Sequence, residues 1–156
     1  MIRTTYAIGL GSNRWSRWGD PRRTLDAVVG ALAAEEMDVL ARSLTLTTPA
    51  MGGAGRRFAN AAVLVETALT PSELLATLQA IERAFGRRPG RRWGPRVLDL
   101  DILLWSGGLH REPEVPHPGL AERLFALRPL AQLAPGWRDP RSGLTVRQLL
   151  ARLRAR

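Results

Sequence analysis

Apolar and polar residues alternate with a period of two along Thr4–Leu10, where Tyr6, Ile8 and Leu10 share one side, and this predicts a first strand. Gly11-Ser12-Asn13 interrupts it. Asp20-Pro21 then offers a capping side chain followed by a proline at the first helical turn, and Leu25, Val28, Val29 and Leu32 recur at helical spacing. A second strand is expected within Val39–Leu46, and Pro49 to Gly55 reads as a loop of small residues. Phe58–Thr67 returns to strand periodicity, with Ala61, Val63 and Val65 facing one way and Phe58, Asn60 and Leu64 the other. Thr70-Pro71-Ser72-Glu73 has the form of a capping box, and the helix behind it aligns Leu74, Leu78, Ile81 and Phe85 before Gly86. Arg87–Arg96 is a loop rich in arginine and glycine, and Val97–Trp105 is the most regular strand pattern in the chain. A proline-rich stretch leads to Pro116-His117-Pro118, and short helices are expected near Arg123–Leu133 and Val146–Leu153.

Strand, helix, strand, strand, helix, strand and then a helical tail is an order that suits an α+β fold. The expected form is a ferredoxin-like antiparallel sheet with helices packed on one face and a ligand cleft on the other. At 156 residues a single domain spanning 1–156 is expected, long enough to bury one core. A hydrophobic fraction of 45% argues against a disordered basic tail. No apolar run reaches the ~20 residues of a membrane span, so a cytoplasmic protein without a membrane partner is expected. The absence of cysteine excludes disulfides and thiolate zinc sites, and His110 and His117 are too few for a histidine-built metal centre. All 23 basic residues are arginine; against 14 acidic ones they leave a net charge of +9. Such a field suits phosphate-bearing partners, whether nucleotide or nucleic acid.

Asp99 and Asp101 narrow that choice. Two apart in a strand, they share a face about 6.6–7 Å apart, while Leu98, Leu100, Ile102 and Leu104 are expected on the core side. Aspartate is depleted in strands, so a pair on one face is costly unless a cation lies between them. Taken alone, the pair fits either a solvated strand face or a site for a hard divalent cation, and Mg²⁺ commonly binds one or two carboxylates plus substrate phosphates. Arg87, Arg88, Arg91, Arg92 and Arg96 stand immediately before it, and guanidinium binds phosphate bidentately. Acid pair and arginine loop together describe a polyphosphate clamp. Phe58 and Asn60, on the non-core side of their strand, suit a flat heterocycle that stacks on the ring and bonds to the amide. His117 is a loop histidine that caps, packs or takes part in the chemistry.

Arg92-Trp93-Gly94-Pro95-Arg96-Val97-Leu98-Asp99-Leu100-Asp101-Ile102-Leu103 resembles the signature of the 6-hydroxymethyl-7,8-dihydropterin pyrophosphokinase family. Leu10-Gly11-Ser12-Asn13, Thr48-Pro49 with Gly52, Phe58-Ala59-Asn60-Ala61, Ile81-Glu82 with Gly86-Arg87, and Pro116-His117-Pro118 with Arg123 and Phe125 stand around it in family order. The resemblance implies transfer of the terminal diphosphate of ATP to the hydroxymethyl group of the dihydropterin, with release of AMP. It implies two Mg²⁺ ions on Asp99 and Asp101, with ATP as co-substrate. It further implies catalytic roles for Arg87, Arg96, Asp99 and Asp101. By the same resemblance Gln79, Glu82, Arg87, Arg92, Arg96, Ile102, His117 and Arg123 are expected to line the ATP site, and Thr48, Pro49, Phe58, Asn60, Trp93 and Phe125 the pterin site. A monomer that binds no nucleic acid is expected. The rival class is an RNA-binding module on a ferredoxin-like sheet, which calls for stacking aromatics on the central strands where Val97–Trp105 offers carboxylates.

Overall fold

The segments of period two pair as an antiparallel sheet in the computed structural model, which describes residues 2–48, 58–86 and 97–156. Its strands are β1 (Thr4–Ser12), β2 (Met37–Arg42), β3 (Leu46–Thr48), β4 (Phe58–Thr67) and β5 (Asp99–Trp105). Their spatial order is β2-β4-β1-β5, with β3 also alongside β4. The helices are α1 (Pro21–Ala33), α2 (Pro71–Ala84), α3 (Leu124–Leu133) and α4 (Val146–Arg154). Asp20 caps α1 by accepting from the Arg23 N–H, and Thr70 and Glu73 close a reciprocal capping box on α2.

The strand expected over Val39–Leu46 is two strands. Ser43 separates them: its N–H donates to the Ala62 carbonyl, while its hydroxyl accepts from the Ala62 N–H and donates to the Leu44 carbonyl. A side chain that competes with the backbone in this way ends a strand without a glycine or proline.

Tyr6, Ile8 and Leu10 lie opposite Val65, Val63 and Ala61, so both central strands turn these residues to the same face. There they meet Leu25, Val28 and Leu32 of α1 and Leu74, Leu78 and Ile81 of α2 in the larger core cluster. The opposite face carries a second cluster, in which Ala7, Ala62, Leu103 and Leu104 pack under Leu127 and Leu130 of α3 and Val146, Leu149 and Leu150 of α4. The antiparallel α+β fold stands as expected, but the helices do not all lie on one face. α1 and α2 cover one side, and α3 and α4 cover part of the other.

A β-bulge enlarges that second cluster. Ala7 pairs with Leu104 and Ile8 with Ile102, so Leu103 is an extra residue in β5. Leu103 and Leu104 therefore reach the same cluster, and Leu104 leaves the face expected for it beside Leu98, Leu100 and Ile102. Trp105 returns to the first face and stacks on Tyr6, the ring centroids 6.0 Å apart. No helix among the described residues is long and apolar enough to cross a membrane.

Tyr6 is fully buried and its hydroxyl donates to the Leu69 carbonyl at 2.7 Å. Burial raises its pKa above the ordinary tyrosine value, so it serves as a neutral donor. Tyr6→Phe leaves that carbonyl without its donor and should cost about 1–2 kcal/mol of unfolding free energy in a urea titration. At α2, hydrogen bonds from Thr70 hold the exposed Glu73 carboxyl below its usual pKa. A lowered folded-state value means that the stabilisation is fully present above the ordinary glutamate range and is lost as pH falls through the lowered value. Glu73→Gln keeps the box as an amide, so its melting temperature should fall less steeply with acid than that of the native chain.

Candidate active site

Among the described residues, no helix covers the half of the second sheet face that begins where the second core ends. Gly9 and Gly11 of β1 face the same way as Ala7 and carry no side chain, which leaves a trough along the central strand. Asn60 pairs with Gly11 from β4, Asp99 pairs with Gly11 from β5, and Asp101 pairs with Gly9. A Cβ at Gly11 would stand 3.1 Å from the Asn60 amide oxygen and 4.0 Å from the Asp99 Cβ, so glycine lets amide and carboxylate approach across one strand. At Gly9 the nearest atoms are the Leu103 methyls, and the bulged leucine closes that end of the trough.

Asp99 and Asp101 are half-buried and share a face, as the strand periodicity requires. Two nitrogen-bearing side chains, one an imidazole and one a guanidinium, come to Asp101 from the segment after β5. His117 Nε2 stands 3.7 Å from one carboxylate oxygen, and Arg123 Nη1 stands 3.6 Å from the other. The His117 backbone N–H donates to the Leu103 carbonyl, which ties this segment to β5 beside the bulge. The Gly119 N–H donates to His117 Nδ1 at 3.0 Å, so the neutral ring carries its proton on Nε2 and turns it toward Asp101. Burial pushes the His117 pKa below its ordinary value; Asp101 pulls it up, and Arg123 and Arg141 push it further down. Arg123 also lies 5.6 Å from the centre of the Phe125 ring, a cation–π contact that joins a phosphate-binding candidate to a stacking candidate.

Phe58 and Phe125 remain 38% and 47% exposed, unusual for phenylalanine and suited to a flat ligand. Thr48 pairs with Phe58 at the same end of the sheet. On the other side of the sheet, Glu82 of α2 is buried and accepts from the Leu100 N–H at 2.9 Å, so it supports the β5 backbone, while Gln79 is exposed. The Ile102 side chain packs in the larger core, on the face opposite Asp101. Pro49, Arg87, Arg92, Trp93 and Arg96 lie outside the described residues.

No three histidine, aspartate or glutamate side chains among the described residues gather into a metal cage. The donor set on β5 instead fits a cation that takes two carboxylates from protein and its other ligands from substrate or water, the habit of Mg²⁺. Sequence reasoning missed two contributors. Gly9 carries no reading of its own within the first strand, and Gly11 reads as its interruption and as part of the Leu10–Asn13 motif, although alternation already puts both on the face of Asn60 and Asp99. Arg141 sits in an Asp139-Pro140-Arg141-Ser142-Gly143 turn far along the chain, and it donates to the carbonyls of Pro116 and His117.

The model of the 7,8-dihydro-6-hydroxymethylpterin-pyrophosphokinase family matches residues 7–135. A protein of Methylorubrum extorquens named 2-amino-4-hydroxy-6-hydroxymethyldihydropteridine pyrophosphokinase is 43% identical over 96% of this chain and 94% of its own length. A Pseudomonas aeruginosa protein of the same name is 41% identical over 97% of this chain and 92% of its own. Among solved structures, the Plasmodium falciparum HPPK-DHPS chain matches with a TM-score of 0.70 at 12% identity, over 97% of this chain and 44% of that one, a likeness of fold. The match along residues 7–135, with relatives alike over nearly their whole length, establishes that the chain belongs to the 7,8-dihydro-6-hydroxymethylpterin-pyrophosphokinase family.

Proposed function

We propose that this chain transfers the terminal diphosphate of ATP to the hydroxymethyl group of 6-hydroxymethyl-7,8-dihydropterin, releasing AMP, and that it does so with Mg²⁺. The observation that carries the reading is the pair Asp99 and Asp101 on an open sheet face, with His117 and Arg123 both directed at one of its carboxylates. In the reaction the hydroxymethyl oxygen bonds to the β-phosphorus, the bond from that phosphorus to the α,β-bridging oxygen breaks, and the hydroxyl proton is lost. Negative charge moves onto the departing AMP oxygen, so catalysis is chiefly a matter of placing donors and holding the two substrates in line.

His117 and Arg123 suit the charge. Separations of 3.6 and 3.7 Å from Asp101 exceed a hydrogen bond, so both groups can donate to phosphate oxygens without giving up a bond to Asp101, His117 with its Nδ1 still on the Gly119 N–H. His117 then donates from Nε2 as a neutral ring, and Arg123 offers a permanent charge. Asp99 and Asp101 would hold the magnesium, which supplies positive charge at the phosphates and acidifies a coordinated hydroxyl. Across the trough, Asn60 offers an amide to the polar edge of the pterin, while Phe58 and Phe125 offer it ring faces. Glycine at position 11 lets the Asn60 amide lie over the central strand, 3.1 Å from where a Cβ would stand.

The decisive measurement is Mg²⁺-dependent AMP release from ATP on addition of the hydroxymethyl dihydropterin. Absence of AMP together with salt-sensitive RNA binding would overturn this reading. Asp101→Ala should abolish turnover while leaving the fold intact by circular dichroism; near-normal turnover would sink the assignment. Gly11→Val pushes against the Asn60 amide and should raise the half-saturating pterin concentration about tenfold or more, a loss of ~1.4 kcal/mol, with little change for ATP.

A further inference from the structure

His117 is delivered to the acid pair by a strap with little regular structure of its own. Between β5 and the 3-10 turn at Leu120–Glu122, residues 110–117 are held by a two-bond bridge between His110 and Val115 and by the single bond from His117 N–H to Leu103. The Ser72 hydroxyl donates to the Glu112 carbonyl, His110 Nδ1 bonds to the Pro113 carbonyl, and the His117 carbonyl accepts from the Leu120 N–H. Residues 114–117 are further held by one distant side chain. Arg141 donates from Nη1 to the Glu114 carboxylate at 2.9 Å, and from Nη2 to the Pro116 carbonyl and, at 2.9 Å, to the His117 carbonyl. Its guanidinium therefore spans the segment that ends on the site histidine.

Arg141 is itself aimed by a built turn. The buried Asp139 carboxylate accepts from the Arg141 N–H at 3.0 Å with one oxygen and from the Ser142 hydroxyl at 2.9 Å with the other. Backbone bonds between Asp139 and Leu144 and between Asp139 and Gly143 close the turn, and Arg138 pairs with Thr145 immediately before α4. α4 is fixed in the second core by Val146, Leu149 and Leu150. An unbroken path of contacts thus runs from that core through Asp139 and Arg141 to His117 and on to Asp101.

We propose that Arg141 is a positioning residue for the diphosphate transfer: its guanidinium fixes the strap 114–117 so that His117 keeps its Nδ1 on the Gly119 N–H and presents Nε2–H to the phosphate site. Geometry favours this over a surface ion pair. A pair with Glu114 alone would contribute little, since both partners are substantially exposed. The two bonds to consecutive carbonyls, by contrast, set the backbone from which the histidine ring projects. Lysine would carry the charge but not the planar fork that reaches a carboxylate and two carbonyls together. The role rests on the proposed reaction, because it acts through His117.

The test joins kinetics to a readout that needs no turnover. Arg141→Ala should lower kcat on the order of 10²-fold, the usual effect of a misplaced reacting group, with the pterin KM within about twofold of native. In a His117→Ala background the same substitution should remove almost nothing more, because residues acting as one unit are not additive. Nitrogen NMR of the free, native protein should show His117 as a single tautomer protonated at Nε2, and Arg141→Ala should show both tautomers. Arg141→Lys should be intermediate in kcat and in tautomer, and it replaces the alanine variant should that one not fold. A kcat within twofold of native, losses that add to those of His117→Ala, or an unchanged His117 spectrum would each overturn the proposal. If the native chain released no AMP, the functional reading would fail while the NMR comparison still decided whether Arg141 fixes the ring.

Discussion

The bulge at Leu103 and Leu104 divides one sheet face into two environments, and the rest of the molecule depends on that division. Before it, β5 shows Asp99 and Asp101 to an open trough; after it, two consecutive leucines enter the core beneath α3 and α4. Regular alternation would have put Leu104 back among Ile8 and Ile102 and left α3 with one leucine fewer to cover. The extra residue lets a strand of only seven residues serve both a charged site and a dry core. It also fixes where His117 arrives, since the Leu103 carbonyl takes the His117 N–H.

Much of this frame is legible from residue pattern because the relevant interactions are local. The boundaries of β4, the capping box of α2 and the shared face of Asp99 and Asp101 all follow from spacing within ten residues. The bulge does not, because it is a property of pairing between β1 and β5, and nothing in Leu103-Leu104 distinguishes it from regular strand. The split between β2 and β3 was hidden for a similar reason. Ser43 ends the first strand through Ala62, nineteen positions away, and a serine amid apolar residues carries no such signal.

The candidate site was legible in part. Residue types and order pick out the acid pair, His117, Arg123, Phe58, Asn60 and Phe125, because their chemistry is unusual for the elements that carry them. Ile102 and Glu82 differ. Ile102 turns its side chain into the larger core, and Glu82 spends a carboxylate oxygen on the Leu100 N–H at 2.9 Å, so both bear on β5 from behind the site. Their placement depends on which side of the sheet α2 occupies, which the pattern of one helix does not specify. Arg141 is the clearest case: one arginine among 23 that becomes distinctive only when the turn at Asp139 is folded against the strap.

The same distinction applies to the net charge of +9. Arg3 is matched by Asp38 and Glu66, and Arg42 by Asp26, all on exposed surface where such pairs contribute little. Beyond about 8 Å at physiological salt, arginines of the tail such as Arg152, Arg154 and Arg156 act on a ligand only through a screened, diffuse field. Arg123 differs in standing beside a carboxylate that has a second carboxylate for a neighbour. Two like charges on one strand face repel, and the guanidinium of Arg123 near Asp101 offsets part of that repulsion. In the proposed reaction a polyphosphate with its metal would restore the same balance with stronger partners, the aspartates holding the metal and guanidinium the phosphates. The local charges are therefore arranged for exchange, which a uniformly basic surface of the same total charge does not provide.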